Sequence, residues 1–180
     1  MLQSGIVEFV IGKDRKRLSI HAALARSFPQ KILEPPLNSE IDEVVIGRCC
    51  EFVYSDDYSV PLPFDRPLKS EMPSKNIMRR FSSATRKYRL GLRTDWVSLC
   101  AWSLYRLLHL LDNFTLFDER SGDIVQLLSF GDSEYMENMQ DILQEYAVWN
   151  VEILMQDADF QRLLDRVPSL EKAIFRSMWK

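Results

Sequence analysis

The chain has 180 residues, 46% hydrophobic and 27% charged, which suits one compact domain or two very small ones and excludes a disordered chain. Six glycines, about half the usual share of ~7%, disfavour a glycine-cradled nucleotide site and favour helix. Three cysteines, two histidines and a net charge of −3 supply neither a disulfide framework nor, without carboxylate help, a four-ligand zinc site.

Val7, Phe9 and Ile11 alternate with Glu8 and Val10. After the polar run Gly12–Arg17, Leu18 and Ile20 resume the alternation, which predicts two short strands joined by a turn. Such a hairpin is marginal alone and must pack on helices. Ala22–Arg26 is a helix-forming run that stops near Ser27-Phe28-Pro29. Pro35-Pro36 enforces extended chain, because each proline fixes its own φ and restricts the residue before it. Ile41, Val45, Cys49 and Phe52 share one helical face, with Asp42 and Glu43 in the first turn, where the helix dipole favours negative charge.

Pro61, Pro63, Pro67 and Pro73 punctuate residues 59–75 and predict an exposed linker, cut first by proteases near Arg66 or Lys69. Beyond it nearly everything reads as helix. Asn76–Leu92 is a basic helix with Ile77, Phe81, Ala84 and Tyr88 as apolar points. Asp95 is the expected N-cap of a helix over Trp96–Leu111. Asp118 or Glu119 starts a helix that stops at Gly131, and one long helix is expected from Ser133 towards Met155. Asp157 caps a short helix bearing Phe160, Leu163 and Leu164, and Pro168 opens the last one. The fold class is α+β, predominantly α-helical, with a small N-terminal β-hairpin packed on a helical bundle. The expected division is an N-terminal region over 1–60, a linker over 61–75 and a helical region over 76–180.

Met1–Val10 contains Glu8 and lacks a basic stretch ahead of a long apolar run, so no signal peptide is expected. Trp96–Leu111, the most apolar stretch, is interrupted by Arg106 and His109 and falls short of the ~20 residues a membrane span needs. The odd cysteine count suits a reducing compartment, so an intracellular protein of cytoplasm or nucleus is expected. Charge is unevenly placed: residues 1–65 carry net −3, residues 66–93 net +8 and residues 94–180 net −8. A basic middle either binds nucleic acid or pairs with the chain's own acidic flanks, and an acidic chain favours the second.

The stretch Phe9-Val10-Ile11-Gly12, then Leu18-Ser19-Ile20-His21, then Leu24 and Ser27, resembles the start of a BTB/POZ domain. Cys50-Glu51-Phe52-Val53-Tyr54-Ser55-Asp56-Asp57-Tyr58 resembles the family's F-x-Y-T/S-G-x-Y helix end, with Asp56 where the family usually has glycine. Tyr88-Arg89-Leu90 with Leu99-Cys100-Ala101 and Leu104, and Phe114–Arg120 followed by Asp123-Ile124-Val125, resemble the helix-rich continuation of short fungal members. The resemblance implies a small sheet capped by helices and a role in protein–protein association. The implied partners are a second copy, a cullin scaffold in a ubiquitin ligase, where the chain acts as adaptor, or a transcription complex. Its motif residues here are Gly12, His21, Leu24, Ser27, Phe52, Tyr54 and Tyr58. Only Phe28–Glu40 is available where the family carries its third strand, and two prolines sit inside it. A two-stranded sheet with an open edge is therefore expected, lying against apolar faces of the helical half. Because the family's cullin contacts fall largely around this deletion, cullin recruitment is expected to be weakened.

No catalytic, cofactor-binding or metal-ligating residue is expected, and no small-molecule substrate. His21 is the tempting catalytic group, but the resemblance makes it a structural residue at a strand-to-helix junction; His109 reads as a core-edge histidine. Cys49 and Cys50 point about 100° apart on a helix and share no ligand face. The carboxylate pairs Asp56/Asp57, Asp118/Glu119 and Asp157/Asp159 read as turns and helix starts, and Tyr146, Trp149, Phe160 and Trp179 as core or docking surface. Arg79-Arg80-Phe81-Ser82 matches a basophilic kinase pattern, making Ser82 a candidate phosphosite. The alternative function is a nucleic-acid-associated or transcriptional regulatory protein using Lys75, Arg79, Arg80, Arg86, Lys87, Arg89 and Arg93.

Overall fold

Residues 5–12, 14–33, 41–55, 74–131 and 136–178 are described by a computed structural model, and about 74% of them are α-helical. The alternation near the start becomes strand β1 (Ile6–Ile11), paired antiparallel with β2 (Lys16–His21) in the register Ile6↔His21 to Ile11↔Lys16. That register puts Val7, Phe9, Ile11, Leu18 and Ile20 on one face, which is buried or half-buried. The other face carries Glu8, Val10, Arg17 and Ser19 in solvent. Gly12 enters the turn at φ 71°, and its carbonyl accepts the Arg15 N–H at 3.1 Å. Among the described residues the sheet has these two strands, and residues 34–40 of the segment expected to lack the third strand lie outside them.

The helices are α1 (Ala22–Ala25), α2 (Gln30–Leu33), α3 (Glu43–Ser55), α4 (Ser74–Thr94), α5 (Val97–Asp112), α6 (Ser121–Gly131), α7 (Glu137–Trp149), α8 (Val151–Leu154), α9 (Ala158–Arg166) and α10 (Pro168–Met178). A 3-10 turn over Asp118–Arg120 precedes α6. The one-turn helix α2 follows Pro29, whose carbonyl accepts the Ile32 N–H at 3.0 Å, and Pro35-Pro36, expected to be extended, lie outside the described residues. Asp42 caps α3, its Oδ1 accepting the Val44 N–H at 2.8 Å. Asp157 caps α9 as expected, and Pro168 opens α10.

Two expectations fail locally. Asp95 does not cap α5: its backbone sits at φ 57°, and its carboxylate pairs with Lys31. The single helix expected towards Met155 breaks at Asn150, between α7 and α8. The Asn150 side-chain amide donates to the Tyr146 carbonyl at 2.8 Å, a local bond that competes with the helical ladder.

The chain divides into two compact units, one drawn from residues 1–62 and 86–102, the other from 63–85 and 103–180. The linker expected over 61–75 lies outside the described residues, except for Ser74 and Lys75, which begin α4. The first unit has a core in which Trp96 is the hub, with Phe28 at 5.3 Å and Phe52 at 5.8 Å between ring centroids. Such aromatic pairs add roughly 0.5–1.5 kcal/mol each beyond the area they bury. Ile11 and Ile20 of the hairpin join the same cluster as Cys49, Leu90 and Leu99. The hairpin is thus covered by residues from α4 and α5 as well as from α1–α3. The second unit packs α7 on α6 and α10, and α9 on α6 and α10. Phe81 stands edge-on to Phe114 at 5.8 Å, and the Tyr146 hydroxyl donates to the Phe114 carbonyl at 3.2 Å.

Candidate interaction surfaces

The end of β2, just ahead of α1, brings His21 to the end of α3. The His21 N–H points to the Tyr54 hydroxyl at 3.5 Å, and the two rings meet edge-to-face at 6.3 Å. Two stretches that carry the family resemblance thus meet although 33 residues separate them, through the backbone N–H of His21 and its exposed ring. Phe52 is buried, Gly12 is buried in the hairpin turn, Leu24 is half-buried and Ser27 exposed. The Ser27 N–H donates to the Leu24 carbonyl at 2.9 Å, closing the turn that ends α1. Tyr58, Asp56, Asp57 and Trp179 lie outside the described residues.

A cavity of about 310 Å³ opens beside the hairpin. Its walls are Glu8–Ile11 of β1, Leu18 and Ile20 of β2, Ile32 of α2 and Ile46 of α3. Phe9, Ile11, Leu18 and Ile20 belong to the buried face of the hairpin, so the cavity lies between that face and α2 and α3, and it reaches the strand β1 at Glu8 and Val10 as well. The outer edge of β1 has no partner strand among the described residues. The cavity depends on how the hairpin, α2 and α3 meet, and no local pattern announces it.

The thiols are poor nucleophiles. Burial pushes Cys49 up to about 12, against the pull of the nearby Lys87 ammonium, and burial likewise pushes Cys50 up to about 11. All three cysteines are free. No group of three or more potential metal ligands occurs among the described residues. His109 stands at a core edge as expected, with Asn113 Nδ2 3.1 Å from its Nδ1. Asp118 and Glu119 are exposed in the 3-10 turn, and Asp157 spends its carboxylate on the α9 cap and the Ser121 hydroxyl. No described helix is long and apolar enough to cross a membrane.

Helix α4 sorts the basic segment into two sets. Arg80 and Lys87 are buried, 4% and 1% exposed, and do not present charge to a nucleic acid. Burial holds the Arg80 pKa below its ordinary value, and its Nε has no hydrogen-bond partner among the described residues. Arg79, Arg86, Arg89 and Arg93 are exposed, with Ser82 half-buried between the first two. At 100° per residue these five positions fall within an arc of about 80° on one face. Lys75 belongs to the first turn of α4. The stripe contains no acidic residue, since residues 74–94 have none.

A second charged face went unremarked in the sequence although its spacing was available. On α7, Glu137, Asp141, Glu145 and Trp149 recur every four residues and all are exposed, Trp149 by 80%. Phe160, by contrast, is core, and Tyr146 is half-buried. Searches against family models, curated proteins and solved structures find no match to this chain.

Proposed function

We propose that the chain is a non-enzymatic protein–protein interaction module of BTB/POZ type, and that its first unit takes a partner along the β1 edge. The observation that carries this reading is the edge of β1, unpaired among the described residues, beside a largely apolar cavity of about 310 Å³. An open strand edge supplies backbone donors and acceptors for an added strand, and an adjoining apolar hollow takes its side chains. The meeting of His21 with Tyr54 supports the family assignment, because the resemblance treats both as parts of one framework. The partner is a second copy, a cullin scaffold or a transcription complex.

Affinity capture with the full chain as bait tests the reading. Val10 is 40% exposed on the open face of the hairpin, so Val10→Lys charges the edge while sparing the core. A stoichiometric partner held by the native chain and lost from Val10→Lys is the expected result. Equal capture of every partner by both, or no partner for either, overturns it. For a cullin in particular, binding of a purified cullin N-terminal domain is expected to be weak, and nanomolar affinity would contradict that expectation.

The nucleic-acid reading now rests on Arg79, Arg86, Arg89 and Arg93, with Lys75 in the first turn of α4. Binding to duplex DNA should then weaken with salt by a log–log slope near −0.9 per phosphate neutralised. No binding at about 100 mM salt removes that reading.

A further inference from the structure

The arginine stripe of α4 and the acidic stripe of α7 match each other in charge and in spacing. On α4, Arg93, Arg89, Arg86 and Ser82 stand at steps of four, three and four residues; on α7, Glu137, Asp141, Glu145 and Trp149 stand at steps of four. At 1.5 Å rise per residue the two series span about 16.5 and about 18 Å. Set antiparallel, they place Arg93 against Glu137, Arg89 against Asp141, Arg86 against Glu145, and the small Ser82 against Trp149. Arg79 then lies one turn further along, in reach of the Trp149 ring face, where a guanidinium is attracted to the π-system. We propose that the α4 stripe is the docking site for α7 of a second copy of this chain.

The chain's own charge favours this occupant over a nucleic acid. A polyanion approaching α4 meets a protein of net −3 whose residues 94–180 alone carry net −8. A second copy brings negative charge at the matching repeat, together with an indole that is 80% exposed. Arg86 already contacts Asp42 at 3.5 Å, but both side chains are about half exposed or more, at 63% and 49%. An exposed pair of that kind is worth little and exchanges readily. The docking surface is separate from the β1 edge, so it stands or falls independently of the family reading.

Sedimentation velocity on the full chain reads the association directly. At about 100 μM the native chain should associate in about 20 mM salt and weaken about tenfold or more by about 500 mM, as screening shortens the range of charge attraction. Arg86→Glu with Arg89→Glu should be monomeric, and so should Asp141→Arg with Glu145→Arg. Mixed in equal amounts, these two double variants should associate again. Ser82→Glu should weaken association of the native sequence, as phosphorylation there would. Val10→Lys should leave it unchanged. A native chain that stays monomeric in low salt overturns the proposal without any variant. So does a mixture that fails to restore association, or a stripe that binds duplex DNA while the chain does not self-associate.

Discussion

Gly91 of α4 and Cys100 of α5 approach so closely that a Cβ on Gly91 would stand 2.5 Å from the Cys100 Sγ. The same Cβ would lie 3.1 Å from the Cys100 nitrogen and 3.2 Å from the Trp96 carbonyl oxygen. The Trp96 N–H donates to the Gly91 carbonyl at 2.8 Å, so the chain turns from α4 into α5 against the glycine itself. Gly91→Ala should overpack this corner and cost roughly 1–3 kcal/mol in urea unfolding. Adding Cys100→Ala should recover part of the loss, because the sulfur is the nearest obstacle and the backbone atoms remain. Full recovery, or no loss from Gly91→Ala, would show that the corner relaxes.

Gly12 makes a different demand. Its φ of 71° lies in the left-handed region, and a Cβ there would meet the Glu43 Cγ at 3.1 Å. Gly12→Ala should destabilise by about 1–2 kcal/mol from the backbone alone. Glu43 of α3 is also the partner of Lys16 of β2. Gly12→Asn should be milder, since asparagine tolerates this conformation. Thermal unfolding of the two variants side by side reads the ordering; an equal loss would place the cost in the contact with Glu43 instead.

Asp157 ties α9 to the start of α6. Its Oδ1 accepts the Asp159 N–H at 2.7 Å, and its Oδ2 accepts the Ser121 hydroxyl. The Ser121 bond, more than the backbone bonds, holds its pKa below the ordinary 3.8. A carboxylate with a depressed folded pKa contributes stability that is present above 3.8 and lost as pH falls through the folded value. Asp157→Ala should cost about 1 kcal/mol at neutral pH. Asp157→Asn should keep much of the cap but flatten the acid dependence below pH 4. An unchanged acid limb in Asp157→Asn would assign that dependence to other carboxylates.

Local features were the legible ones. The alternation of Val7, Phe9 and Ile11, the i, i+4 run Ile41–Val45–Cys49, the cap at Asp157 and the proline at 168 each depend on neighbours in sequence, and each appears where expected. The failures involve competition or distance. Asn150 breaks a helix because its amide bonds the backbone behind it, and Asp95 turns to Lys31, which is 64 residues away. The basic segment shows both effects. Its charge count was visible, but burial of Arg80 and Lys87 depends on what packs against α4, so counting overstated the usable charge. The β1 cavity was illegible for the same reason: Ile11, Ile32 and Ile46 read as core, and only the assembled unit shows space between them.

Cys49 offers the clearest pH signature. It is fully buried, and burial holds its thiol up to about 12, where an unfolded thiol ionises near 9.0. Cys50 shifts the same way, to about 11. A thiol whose folded pKa is raised contributes stability that is complete below 9.0 and lost as pH rises towards 12, because only the unfolded chain can release the proton in that interval. Denaturant unfolding should therefore show falling stability between pH 9 and pH 12, and Cys49→Ala should make that fall shallower even if its small cavity lowers the plateau. The same burial predicts labelling behaviour. At pH 8 a thiol reagent should leave Cys49 and Cys50 unmodified in the native chain, reach the half-buried Cys100 slowly, and modify all three in urea. Peptide mass mapping of the labelled chain checks this, and native-state modification of Cys49 at the unfolded rate would sink it.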